Sequence, residues 1–160
     1  MIWNISGYDV LIDEEDYERL KAFKYNVNRH KVRKYGRYYF SRDICDEGIR
    51  YAVALHRDIM NCIKGDKKVV DHTDGNTLDC RKSNLRLSTN TENCRNAKIR
   101  KDNTSGVKGV TWYARHKKWV ARIQVNNLNI SLGYHDNIED AKAAYAEASR
   151  KYHGEFGRTK

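Results

Sequence analysis

The sequence predicts an α+β protein made of two small domains joined by a short polar linker. Three observations carry this. The chain has 160 residues, room for two small domains. Residues 99–106 (IRKDNTSG) are polar and lack apolar periodicity, as a linker of ordinary length does. The stretch beyond them runs at strand period two and then at helical period, whereas the stretch before them mixes short strands with short helices. The expected division is therefore 1–98, a β-rich region leading into a compact site; 99–106, a linker; and 107–160, a small sheet packed on one helix.

In the first region, Asp9 to Ile12 reads as a short strand ending at an acidic turn. Asp13 is placed to cap a helix through DEEDYERLKAF, with Asp16 at the third helical position and Tyr17, Leu20 and Phe23 at helical spacing. Tyr25–Arg29 and Arg37–Arg42 read as paired strands around a basic turn containing Gly36. Tyr51–Leu55 is either another strand or the lead into a helix around His56–Cys62. Val69–Val70 begins a short strand, Asp74-Gly75 marks a turn, and Asn84 to Ser88 is a second strand. Either Thr89 or Thr91 is placed to cap a helix through Glu92, Asn93 and Asn96. The order is strand, loop, strand, helix.

In the last region Trp119, Ala121, Ile123 and Val125 alternate with Lys118, Val120, Arg122 and Gln124. Val110 and Trp112 mark an earlier strand, Asn126-Asn127 a turn, and Ile130 and Leu132 a third strand. Asn137 caps a helix whose stripe is Ile138, Ala141, Tyr145, Ala148 and Tyr152, closed by Gly154. One face of a three-stranded antiparallel sheet is thus covered. The other is polar and basic, and Trp112 and Trp119 fall on the apolar register.

Lys and Arg number 31 against 21 Asp and Glu, a net charge of +10. Basic side chains that neutralise phosphates release condensed counterions, so this excess points to a polyanion. A membrane surface is the rival polyanion, but no apolar run approaches the ~18 residues of a membrane-spanning helix. No signal segment opens the sequence, and a cytoplasmic location is expected. The four cysteines form no CxxC pair, so they read as buried or free thiols rather than zinc ligands or disulfides. Proline is absent, and eleven Tyr suit half-buried sheets and nucleic-acid contacts alike.

Hydrolysing a phosphodiester needs a base for water and a cation for the charge that develops on phosphate. His72 has a side chain that titrates near neutrality. Asp71 beside it offers a hard oxygen for Mg²⁺ or Mn²⁺, and Asn93 on the following helix offers another. The duller reading is a polar turn at Asp71-His72, a turn residue at Asn84 and a solvated helix residue at Asn93.

VVDHTDGNTLDCRKSNLRLSTNTENCRNA, with His72, Asn84 and Asn93 spaced by 12 and then 9 residues, closely resembles the HNH homing endonucleases of phages and introns, in the variant whose last motif residue is Asn. The resemblance covers residues 10–98 and is most specific over 69–97. It implies a ββα-metal fold and cleavage of DNA to 5′-phosphate and 3′-hydroxyl ends. It also implies one Mg²⁺ or Mn²⁺ per site, no small-molecule cofactor, and action as a monomer or homodimer inside a bacterial or phage-infected cell. By the same likeness His72 is the base, Asp71 and Asn93 are metal ligands, and Asn84 holds the loop bearing the histidine. LHRDIM (Leu55–Met60) resembles a segment common just upstream of this motif, which makes His56 a second-tier candidate. At Asp79-Cys80-Arg81 the sequence departs from the DNR often found there, a change that touches none of these roles.

SGVKGVTWYARHKKWVARIQV followed by ISLGYHDNIEDAKAAYAEASRKYHGEFGR resembles the DNA-binding domain of the plant APETALA/ethylene-response-factor proteins, over about residues 104–158. That likeness implies a sheet laid in the major groove of double-stranded DNA. Lys108, Thr111, Tyr113, Arg115, Lys117, Arg122, Gln124, Asn129 and Ser131 are the outward candidates. A solvated sheet face with no ligand is the plain alternative. The basic stretch Arg29–Arg42 is either a second contact strip or a solvated hairpin. His30, His116, His135 and His153 are expected at the surface or on DNA, without a catalytic role. The leading expectation is a site-targeted DNA endonuclease. A catalytically silent DNA-binding regulator is the main rival, and an RNA-directed protein is the third reading.

Overall fold

The computed structural model describes residues 1–28, 37–99 and 102–159. The protein is a mixed α/β structure of several small sheets and few helices. It divides into two compact units, Met1–Asn90 and Thr91–Lys160. The boundary falls ahead of the expected linker, whose residues 100 and 101 lie outside those described.

The first unit opens with a hairpin, β1 (Ile2–Ile5) and β2 (Tyr8–Leu11), pairing Ile2 with Leu11 and Ile5 with Tyr8. Only β2 is expected from the sequence. The two-residue turn takes positive φ at Ser6 (53°) and Gly7 (85°), the primed geometry that matches strand twist. Ser-Gly signals such a turn less strongly than Asn-Gly, which is why β1 goes unread. Helix α1 (Glu14–Leu20) follows and stops at Leu20. Phe23 is therefore not on its stripe; it is 43% exposed, with the Arg42 guanidinium 4.0 Å above its ring. Asp13 stands at the N-cap position but makes no side-chain cap. Its Oδ2 instead accepts from the backbone N–H of Lys82, 2.8 Å away.

Strands β3 (Asn26–Val27), β4 (Phe40–Asp46) and β5 (Ile49–Ala54) form an antiparallel sheet in that order. The expected Tyr25–Arg29 to Arg37–Arg42 pairing survives as Asn26 opposite Ser41 and Val27 opposite Phe40. The turn at Gly36, His30 and most of the basic strip lie outside the described residues. The β4–β5 hairpin, turning at Glu47-Gly48, is longer than the sequence suggests. Tyr51–Ala54 is strand, and α2 (Leu55–Ile59) starts directly after it.

A two-stranded sheet, β6 (Val69–His72) and β7 (Leu85–Ser88), completes the unit. Ile5, Val10, Ile12, Leu20, Phe40, Leu55, Ile59, Val70 and Leu85 are buried together and join these elements into one core. The chain between β6 and β7 is stitched to β2: Leu11 N–H donates to Leu78 O and Cys80 N–H donates to Leu11 O, both at 2.8 Å. Helix α3 (Asn90–Arg95) follows β7, so strand, strand, helix is observed in chain order.

In the second unit β8 (Val110–Tyr113), β9 (Lys118–Val125) and β10 (Leu128–His135) form an antiparallel sheet in the order β10-β9-β8. Helix α4 (Ile138–His153) lies on one face, burying Ala141, Tyr145 and Ala148 against Val110, Ala121 and Ile123. Asn137 caps it, Oδ1 accepting from Asp140 N–H at 2.8 Å, and Gly154 ends it at φ 55°. Gly109 shows how tightly helix and sheet meet. At φ 71°, a Cβ there would lie 2.2 Å from the Tyr145 ring and 2.5 Å from Arg122 O.

Three expectations fail here. Trp112 is 49% exposed, edge-on to Trp119 at 5.1 Å, so only Trp119 packs against the core. Tyr152 sits on the stripe yet stays 38% exposed. His153 is not a surface residue; it is buried, with Nε2 2.9 Å from Gln124 O, and burial lowers its pKa.

Candidate active site and nucleic-acid face

Pairing β6 against β7 puts Asp71 opposite Arg86 and His72 opposite Leu85. Both acidic and imidazole side chains are buried, at 6% and 4% exposure. A buried carboxylate needs a partner, and Arg86 supplies one: its Nε and Nη2 donate to Asp71 Oδ2 at 3.1 and 3.0 Å. His72 closes the strand. Desolvation lowers its pKa, against the opposing pull of Asp71, Asp74 and Asp79, which keeps the imidazole neutral near pH 7 and able to accept a proton.

The chain after His72 turns sharply. Gly75 N–H donates to His72 O, and Asp74 Oδ1 accepts from Asn76 N–H. Asn84 then ties both ends of this loop. Its Oδ1 accepts from Asp74 N–H at 3.1 Å, its Nδ2 donates to Asp79 O at 2.9 Å, and its carbonyl accepts from Thr73 N–H at 2.8 Å. A buried amide with both ends engaged ties together the two ends of the loop that follows His72.

Three rings meet beside it. His56, in the first turn of α2, lies 5.4 Å from His72 and 5.6 Å from Tyr39, ring centre to ring centre; Tyr39 and His72 are 6.3 Å apart. Burial first, with His72 and Arg57 close by, pushes His56 down to about 3, so it is a neutral ring at physiological pH. A cavity of about 230 Å³ lined by Asn28, Tyr39, Phe40, Ser41, Ala54 and His56 adjoins this cluster.

Asn93 is exposed on α3, in the second unit. Among the described residues no three His, Cys, Asp or Glu side chains cluster into a closed metal cage. The donors fit a divalent cation that keeps most of its water: Asp71 is a hard carboxylate, and Mg²⁺ often takes only one or two protein ligands.

Three side chains at this site escape sequence reasoning. Arg86 becomes visible only once the register of β6 on β7 is known. Tyr39 comes from the chain just ahead of β4, distant in sequence. Cys80, expected to touch no role, is buried with Sγ 3.9 Å from His72 Nε2.

On the second unit, Thr111, Tyr113, Arg122, Gln124, Asn129 and Ser131 share the sheet face turned from α4 and are exposed; Arg115 and Lys117 are exposed in the β8–β9 turn. Gln124 pairs with Asn129 and Arg122 with Ser131 across β9 and β10. Tyr113, His116 and Tyr134 cluster on the same side, with centroids 5.1 to 6.0 Å apart. The face is not wholly polar, since Val120, between Thr111 and Tyr134, is buried. Lys108 does not belong to it. Its half-buried Nζ donates to the carbonyls of Arg95 and Ala97 at 2.6 and 2.9 Å, and burial lowers its pKa.

Residues 53–95, which contain the buried Asp71–His72 pair and the asparagine-tied loop, match the HNH endonuclease family model. The chain is also 35% identical over 89 residues to Protein 3.8 of Escherichia phage T7, an alignment spanning 56% of this chain and 73% of that protein. It belongs to that phage protein's family. No solved structure matches it. The family model ends at residue 95, and the comparisons lend no support to the APETALA-like resemblance of 104–158. No helix among the described residues is long and apolar enough to cross a membrane.

Proposed function

We propose that the protein is a divalent-metal-dependent DNA endonuclease of the HNH type, directed to its target by the exposed sheet of the second unit. The observation that carries this is Asn84 binding both Asp74 and Asp79, which fixes the loop of a buried His72 beside Asp71, all inside the matched segment. His72 takes a proton from water as its oxygen attacks phosphorus. The bond to the 3′ oxygen breaks and that oxygen is protonated from solvent, leaving a 5′-phosphate and a 3′-hydroxyl. A single Mg²⁺ or Mn²⁺, when bound, neutralises charge building on the phosphate and the departing oxygen. Asp71 supplies one oxygen donor, and the motif assigns Asn93 a second. His56 is a neutral ring bordering the site.

Arg122 and Gln124, with Asn129 and Ser131 on the neighbouring strand, have the donors and acceptors to read base edges. Lys117 and Arg115 are suited to phosphates. One site per chain favours nicking; cutting both strands takes a dimer or two successive events. A reader and a cutter in one chain suit the long target of a homing enzyme.

The test is supercoiled plasmid carrying candidate target DNA, incubated with Mg²⁺ and the wild type or His72→Ala. Nicked or linear product from the wild type, abolished by chelator and reduced about 10²–10⁴-fold in His72→Ala, supports the reading. Intact plasmid alongside specific retention of the same DNA would leave a silent DNA-binding regulator instead.

A further inference from the structure

We infer that the cavity beside His56 is a nucleobase subsite, in which Tyr39 stacks on the base of a nucleotide next to the bond that is cut. This rests on the reading of His72 as the place of cleavage, and it adds where that nucleotide's base goes and which side chain holds it.

Strand register builds the cavity. Val27 faces Phe40 across β3 and β4, Ser41 faces Ala54 across β4 and β5, and Asn28 N–H donates to Tyr39 O at 2.7 Å. Successive side chains of a strand alternate between the two faces of its sheet. Phe40 goes to the core and is 1% exposed, so Tyr39, Ser41 and Ala54 share the opposite face. Helix α2 begins straight after Ala54 and sets His56 at the edge of that face. The space these residues line measures about 230 Å³, enough for a single base.

The lining discriminates among the parts of a nucleotide. No Lys or Arg lines the cavity, so it is not built for a phosphate. It offers the rings of Tyr39 and His56, 5.6 Å apart, the Ala54 methyl and the Ser41 hydroxyl. Rings and a methyl suit the flat face of a base, and a hydroxyl can give or take a hydrogen bond at its edge. The position agrees. His72 and Tyr39 are 6.3 Å apart, ring centre to ring centre, a gap that the sugar between a phosphate and its base spans. A base seated there has left its stack, at an energetic cost that the aromatic contact offsets.

The test titrates the full chain, in chelator, with four single-stranded DNA tetranucleotides of one base each. Binding is followed in the aromatic ¹H–¹³C correlation spectrum, with Tyr39 and His56 signals assigned by their loss in Tyr39→Leu and His56→Gln. Both rings should shift together and saturably with at least one tetranucleotide. Tyr39→Leu, read at His56, should bind about tenfold more weakly, the scale of one base–aromatic stack, and Tyr39→Phe should restore the affinity. Ala54→Trp, which fills the cavity, should abolish the shifts. Plasmid nicking should slow about tenfold in Tyr39→Leu and Ala54→Trp, while duplex DNA is still retained in a gel shift. A Tyr39 ring that no tetranucleotide moves at millimolar concentration would overturn the inference. So would unchanged affinity in a folded Tyr39→Leu. Saturable stacking on Tyr39 in a wild type that cuts no DNA would support the subsite while removing the nuclease reading.

Discussion

Arg86 reaches across the β6–β7 hairpin and donates from Nε and Nη2 to one oxygen of Asp71, Oδ2, at 3.1 and 3.0 Å. A cation drawn to Asp71 has to share the carboxylate with this guanidinium. The pair is nearly dry, with side-chain exposures of 13% and 7%, so each charge depends on the other.

Arg86→Met should therefore destabilise the first unit by about 3 kcal/mol, because the buried Asp71 loses the guanidinium that faces it. The double variant Asp71→Leu/Arg86→Met should regain most of that loss, although it cannot cut DNA. Urea unfolding followed by Trp fluorescence tests both. Equal stability for the two variants would show that the carboxylate does not need the arginine.

Asn84→Ala should hurt catalysis more than folding. It orphans the Asp74 N–H and the Asp79 carbonyl, at a cost of about 1–3 kcal/mol. Nicking should fall at least as far as it does when the base is removed, since the histidine loop loses its anchor. Nicking at the wild-type rate in a measurably destabilised protein would separate the loop from the chemistry.

Thiol chemistry should sort by burial. Cys45 and Cys94 are exposed, whereas Cys80 is buried with its thiol pushed up to about 12. An aromatic disulfide reagent should label Cys45 and Cys94 quickly in the native chain and Cys80 only on unfolding. Rapid modification of Cys80 in the folded protein would contradict its place in the loop core.

On the sheet face, Arg122→Ala should weaken binding to the preferred duplex by about 1–3 kcal/mol and relax its sequence preference, while Lys117→Ala should weaken all sequences alike and flatten the salt dependence by about one ion. Lys108→Ala should lower the stability of the second unit without either signature, because its ammonium is spent on Arg95 and Ala97 carbonyls. Fluorescence anisotropy across a salt series distinguishes the three variants.

The second unit was largely readable because each of its features has a local cause. Asn126-Asn127 turns the chain, alternation fixes the strands, and Asn137 and Gly154 bracket the helix. Trp112 misleads because it shares a register with Trp119 but lies beyond the helix's cover. Spacing picks out His72, Asn84 and Asn93 as candidates. What surrounds them is not legible, since it depends on contacts far apart in sequence. Arg86 needs the strand register, Tyr39 comes from β4's neighbourhood, and Asp13 abandons its cap for Lys82, 69 residues away. Lys108 reads as one more outward cation because nothing local announces that a lysine will bind carbonyls.

The pair of backbone bonds between Leu11 and the 78–80 loop has a consequence for modularity. The segment that matches the nuclease family begins at residue 53, yet the wall behind its histidine is built by a strand some forty residues earlier. A nuclease cassette excised at the borders of sequence similarity would leave that wall behind. A transplant that tests the proposed nuclease on its own has to start with the first hairpin.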